Sequence, residues 1–247
     1  MDGDGKRHLA ARELLRGNEH LIRSQRAGHQ EVGPRRSGGS VVSDRATRVG
    51  ILLFDQFDLI DAGGPYEVFL TASRLVERDG GPPIYDVVLI SPDGADAVAY
   101  GGMTITGTVP VADVGRLDVV VIPGLIALDD ARGDAQIMAA VRALAAGSTL
   151  VTSVCTGAFL LSDAGVLDGL PATTHWEDVE LLAEQGAVAS ASSAARWVDN
   201  GPVITSGGLT SGLHMALHVV RRLHGLEIAE RTARQLDLPW DPAGNRE

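Results

Sequence analysis

Cysteine and lysine are nearly missing from this sequence, and each shortage closes off a class of chemistry. One cysteine, Cys155, stands among 247 residues. The chain therefore builds neither an internal disulfide framework nor a zinc site of several cysteines. A lone thiol suits a reducing compartment, so a cytoplasmic location is the expectation. The one lysine, Lys6, lies near the N-terminus, which leaves the body of the chain without a Schiff-base nucleophile. No run approaches the roughly 18 to 20 apolar residues that span a bilayer. The start also lacks the apolar stretch of a secretory signal, so neither export by that route nor a membrane partner is expected.

Basic charge is scarce beyond the N-terminus. Residues 1–48 carry 10 basic and 6 acidic side chains, whereas residues 49–247 carry 11 and 26. An acidic body repels phosphate backbones, and no nucleic-acid partner is expected for it. Hydrophobic residues at 45% and charged residues at 21% are those of an ordinary globular protein. Residues 1–47 read as a flexible extension, with one amphipathic stretch at 10–26 and a linker at Gly33-Pro34-Arg35-Arg36-Ser37-Gly38-Gly39-Ser40. The same stretch could instead be a helical arm packing on a partner subunit. Residues 48–240 read as one domain and 241–247 as a tail.

From Arg48 onward, apolar runs alternate with helical stretches. Val49-Gly50-Ile51-Leu52-Leu53-Phe54, Tyr85-Asp86-Val87-Val88-Leu89-Ile90, Leu117-Asp118-Val119-Val120-Val121-Ile122 and the run ending at Val154 are continuous enough for buried parallel strands. Helices are expected over 61–76 after a Gly63-Gly64-Pro65 turn, and over 131–146, 157–164, 177–184, 209–223 and 227–236. Weak alternation over 103–109 predicts a small hairpin element. Asp199-Asn200-Gly201 predicts a tight turn between two further strands. The expected class is α/β, a doubly wound sandwich around a mostly parallel sheet.

The richest segment is Thr152-Ser153-Val154-Cys155-Thr156-Gly157. An apolar strand runs straight into a helical pattern with cysteine between them. That layout predicts a sharp elbow with the thiol at its apex, and small residues at Ser153 and Gly157 let backbones approach. The helix start beneath the thiol is expected to lower its pKa and favour thiolate. The Thr156 amide and the Pro123-Gly124-Leu125 turn are candidate donors for charge developing on a substrate. Asp61 is the candidate acid or base, while Asp55 and Asp58 in the same loop read as solvated. His175 is expected to face the same crevice. His214 and His218 share the spacing of paired metal ligands, but no Glu follows His214 and no third ligand is evident. A core or interface role is expected for them, with no metal.

These motifs, together with Leu59-Ile60-Asp61, Gly64-Pro65-Tyr66-Glu67-Val68-Phe69, Val121-Ile122-Pro123-Gly124, Ala172-Thr173-Thr174-His175-Trp176 and Thr205-Ser206-Gly207-Gly208, resemble the ThiJ/PfpI superfamily and its isonitrile hydratase branch. The resemblance covers residues 48–236. It implies a flavodoxin-like sandwich with a cysteine nucleophile elbow, usually a homodimer, acting on a small molecule without a cofactor. Cys155, Asp61 and Thr156 match its functional residues, and Gly124, Leu125, His175 and Gly64 are the expected substrate contacts. The implied reaction hydrates an organic isocyanide to an N-substituted formamide, with Cys155 and Asp61 titrating as a coupled pair. Leu125 replaces the second glycine of the usual Pro-Gly-Gly turn and would strain or remove an amide donor that needs positive φ. Thr156 stands where protease-like members carry His, so peptidase activity is not expected. No His-x-Glu of the amidotransferase kind follows His175. The run from His218 to Gly225 also resembles the sensor domain of AraC-type regulators, which continue into a helix-turn-helix. This sequence ends after Trp240 without that length, so a free-standing redox or ligand sensor is the alternative reading.

Overall fold

A computed structural model of the chain describes residues 45–245. The expected extension at 1–47 lies outside them except at its last three residues. Strand β1 (Thr47–Leu52) leads into helix α1 (Leu59–Arg78), β2 (Tyr85–Ser91), β3 (Ala97–Val98), β4 (Thr104–Ile105), β5 (Val109–Pro110) and the single turn α2 (Val111–Val114). Strand β6 (Leu117–Ile122) is followed by α3 (Leu128–Gly133), α4 (Ala135–Gly147), β7 (Ser148–Val154) and α5 (Gly157–Asp163). Then come β8 (Pro171–Ala172), a 3-10 turn (Trp176–Asp178), α6 (Val179–Glu184), β9 (Ser190–Ala191), β10 (Trp197–Asp199), β11 (Val203–Ser206), α7 (Thr210–His224) and α8 (Leu226–Gln235).

The main sheet has seven strands in the order β10-β11-β7-β6-β1-β2-β5. Every pairing in it is parallel except that of β10 with β11. The α/β expectation holds, and the physical cause is burial on both faces. Val119 to Ile122 in β6 and Val49, Ile51 and Leu52 in β1 are each at most 1% exposed, and every such side chain contributes roughly 1.5–3 kcal/mol. Among the described residues no helix is long and apolar enough to cross a membrane.

Three sequence expectations shift. Gly63, Gly64 and Pro65 lie inside α1 rather than in a turn before it. Pro65 has no N–H for the Asp61 carbonyl, yet the buried stripe of Asp61, Pro65, Val68, Ala72 and Leu75 holds the helix against the sheet. The helix expected over 131–146 breaks at Asp134, whose carboxylate caps α4 by accepting from the Gln136 and Ile137 amides at 2.7 and 3.1 Å. The domain's packing also runs past residue 240: Asn245 bridges Ala195, and Arg221 donates to the Pro242 carbonyl at 2.6 Å.

The chain runs from β1 out to β2 and β5 on one side of it, then crosses back to β6 on the other side, so the strand order reverses next to β1. A crevice therefore opens over the carboxyl ends of β1, β6 and β7, the usual switch-point position. The segments that follow these strands carry Asp61, Gly124 and Cys155.

Candidate active site

Cys155 directly follows β7, with Thr156 between it and α5, and its φ is 56°. A non-glycine residue holds such a backbone only where its surroundings over-determine it. Here the Cys155 amide donates to the Ser206 and Gly207 carbonyls at 3.2 and 3.3 Å, and its carbonyl accepts the Thr174 hydroxyl at 2.9 Å. Gly157 permits the tight turn that follows. A Cβ there would stand 2.4 Å from the Ile122 carbonyl oxygen. The strand thus turns sharply at Cys155, and the backbones approach closely at Gly157.

Asp61 lies beneath the thiol with no exposed surface. Its Oδ2 accepts the Gly124 amide at 3.1 Å and its Oδ1 accepts the Leu209 amide at 3.0 Å, while Cys155 packs beside it across Gly124. Burial nevertheless dominates and, with the charge of Asp58, lifts the Asp61 pKa to about 7. Burial, then the negative charge of Asp61, pushes the Cys155 thiol well above its ordinary value. The expectation of a lowered thiol pKa is corrected. The Thr156 amide does favour the charged sulfur, but it is outweighed by desolvation and by Asp61, Asp58 and Asp178. At neutral pH the sulfur is therefore held as a thiol, beside an Asp61 that is in the middle of its titration.

Gly124 packs against both members of the pair. A Cβ there would lie 2.8 Å from Asp61 Oδ2, Cys155 Cβ and the Thr156 nitrogen alike. Leu125 does not take a positive φ, so the strain expected from losing the second glycine is absent. Its amide is not a free donor either. It donates to Thr156 Oγ1 at 2.9 Å, and that hydroxyl donates back to the Leu125 carbonyl at 2.7 Å. With the Gly124 amide bound to Asp61, both donors sought in this turn are already engaged.

A cavity of about 750 Å³ opens above Cys155, lined also by Thr156, Leu125, His175 and Leu209. His175 approaches the sulfur across Gly208, where a Cβ would meet His175 Cδ2 at 2.5 Å and Cys155 Sγ at 3.2 Å. Gly64 is not brought to this cavity. It lies buried in α1, where a Cβ would meet Leu213 of α7 at 2.5 Å, so it packs two helices together. His214 and His218 diverge: His214 is buried, while His218 bonds Asp199 at 2.7 Å and stacks on Trp197. Asp55 is exposed, in keeping with its solvated reading, and also accepts the Val98 amide.

Sequence reasoning missed Leu209 and underrated Asp58. Leu209 has φ 53° and ψ −115°, and it acts through a backbone amide that side-chain motifs do not encode. The Gly207-Gly208 pair just before α7 was the available signal. Asp58 lines the cavity.

Residues 47–222 match the DJ-1/PfpI family. The chain is 33% identical over 198 residues to the isonitrile hydratase of Pseudomonas putida, covering 80% of each protein. It is 28% identical to the HTH-type transcriptional regulator GbdR of Pseudomonas aeruginosa, covering 73% of this chain but only 48% of the regulator. A ThiJ/PfpI family protein from Pseudomonas syringae has a similar fold, with a TM-score of 0.69, 24% identity and coverage of 85% and 84% of the two chains.

Proposed function

The chain belongs to the DJ-1/PfpI family, and from that membership we propose that it is a cysteine-dependent hydratase converting an organic isocyanide to an N-substituted formamide. The observation that carries this reading is the Cys155–Asp61 pair: a thiol lining the cavity with a buried carboxylate packed beside it across Gly124. Addition to an isocyanide carbon requires a sulfur nucleophile and a proton delivered to the same atom. The pair supplies both.

Asp61 takes the thiol hydrogen as Cys155 Sγ bonds to the isocyanide carbon, and then gives that proton to the carbon, leaving a thioimidate. Water adds to this carbon. One of its protons reaches the substrate nitrogen through Asp61, and the oxygen stays as hydroxyl. Cleavage of the C–S bond forms the formamide carbonyl, and the hydroxyl proton returns to sulfur. The net reaction consumes one isocyanide and one water. Thr156 is a positioning residue in this scheme, because its hydroxyl is occupied on both sides by Leu125. A homodimer, as implied by the resemblance, belongs to the same reading.

Formamide production from cyclohexyl isocyanide, followed for the wild type, Cys155→Ala and Asp61→Asn, tests the proposal. Turnover by the wild type that both variants lose supports it. A folded wild type inactive across aliphatic and aromatic isocyanides overturns it. One observation favours a second reading, a ligand-binding sensor of the regulator kind: the thiol is held protonated and both turn amides are already bonded. The same pKa direction disfavours redox sensing, since oxidation proceeds through thiolate.

A further inference from the structure

Charge around the cavity is strongly one-sided. Asp58 follows β1, Asp129 and Asp130 stand in the first turn of α3, and Glu177 and Asp178 belong to the 3-10 turn after β8; all five line the same space above Cys155. Arg132 is the one guanidinium among its described lining residues, and it forms a two-pronged pair with Asp163. His175 Nδ1 faces Glu177 and Asp178 at 3.6 Å each. Each of these acids has a local explanation, because carboxylates favour helix starts. That explanation does not account for three separate segments converging on one cavity. Helix starts carry at most about half a charge each, and less in turns this short, so they offset only part of five carboxylates. Two of the five, Asp58 and Asp178, already act on the sulfur across the cavity. Between the acids lie Leu125, Leu128, Leu181 and Leu209.

We propose that this cavity selects a substrate in which an apolar stem joins the reacting carbon to a cationic group, and that it turns away molecules bearing a carboxylate. The inference rests on the reading of this cavity as the substrate site and names the class of isocyanide it takes: protonated amino-alkyl over carboxy-alkyl. The stem lies along the leucines, and the cation reaches the carboxylates of α3 and the 3-10 turn. The potential that favours the cation slows entry of an anion, and salt weakens both effects.

Because Cys155 is the chain's one thiol, its labelling reports the potential directly on the full-length protein. Trimethylammonium-ethyl and sulfonato-ethyl methanethiosulfonates of matched size are compared, each rate divided by its rate with free mercaptoethanol. The expected preference for the cationic reagent is at least roughly tenfold at low salt and falls towards unity in 1 M salt. Glu177→Gln with Asp178→Asn reduces it several-fold, and the wild-type salt series keeps the test sound if that variant misfolds. Equal normalised rates, or no labelling by the cationic reagent, overturn the proposal. In the catalytic arm, kcat/KM for an ammonium-bearing isocyanide exceeds that for its carboxylate counterpart by about tenfold, through KM. Absence of formamide from every isocyanide defeats the hydratase reading alone, since the labelling ratio still decides the charge preference.

Discussion

Beneath the cavity floor Asp61 is fully buried, with two backbone amides bonded to it and Cys155 packed beside it; at the rim Asp129, Asp130 and Glu177 stand exposed to solvent. The two sets are the same chemical group in different dielectrics. Burial alters the proton affinity of the floor carboxylate and couples it to sulfur. Exposure leaves the rim carboxylates acting as a field on whatever enters. In the proposed function a carboxylate is thus a reagent where water is excluded, and in the proposed charge preference a filter where water remains.

Removing either reagent at the floor has the largest expected effect. Cys155→Ala brings formamide production to background, and Asp61→Asn lowers kcat by about 10²–10⁴-fold, both read by product assay. If Asp61→Asn retains wild-type activity, the floor has no special chemistry and the contrast with the rim collapses. Gly124→Ala comes next. Its Cβ would stand 2.8 Å from Asp61 and Cys155 atoms, so it is expected to cost about 1–3 kcal/mol in denaturant unfolding and to lower activity as the pair is pushed apart.

The pH dependence follows from the raised Asp61 pKa. In the folded protein the group titrates at about 7, against 3.8 for an ordinary aspartate. The folded state therefore binds the extra proton between these limits. The stability associated with protonated Asp61 is fully present below about pH 4 and is lost as pH rises through 7, a change of order 1–4 kcal/mol. Activity runs the other way, because only the carboxylate can take the thiol hydrogen. An acid limb in kcat/KM near pH 7 is expected, with unfolding at pH 5 and 8 reading the stability part. Rim carboxylates replaced by amides should leave that limb in place. The smallest expected effect is that of Leu209→Gly. Its side chain is 43% exposed and its φ is 53°, so relief of backbone strain shifts stability by up to about 1 kcal/mol in the favourable direction. The Asp61 bond survives because the backbone amide remains.

The strands were legible because continuous Val, Ile and Leu runs have one good destination, the middle of a two-sided sheet. The observed β6 spans the residues expected for it. The strand-to-helix turn at Cys155 was legible for a related reason: a buried strand meets a helix with only small residues between them. Gly63-Gly64-Pro65 misled because local propensity favours a turn, whereas packing against α7 keeps the segment helical. The Asp134 cap divided what its periodicity presents as one helix. Leu209 stayed hidden because an amide contributed by a backbone carries no side-chain signature.

What the sequence by itself determined is therefore the α/β class, the parallel strands and the thiol at a strand-to-helix turn, all of which depend on neighbours a few residues apart. Tertiary structure alone decided that Asp61 and Cys155 lie side by side, that the Gly124 and Leu125 amides are engaged, and that five acids face one cavity. Proton affinity and potential depend on distance and dielectric between residues up to 148 positions apart, as Asp61 and Leu209 are, and those distances exist only after the sheet has closed.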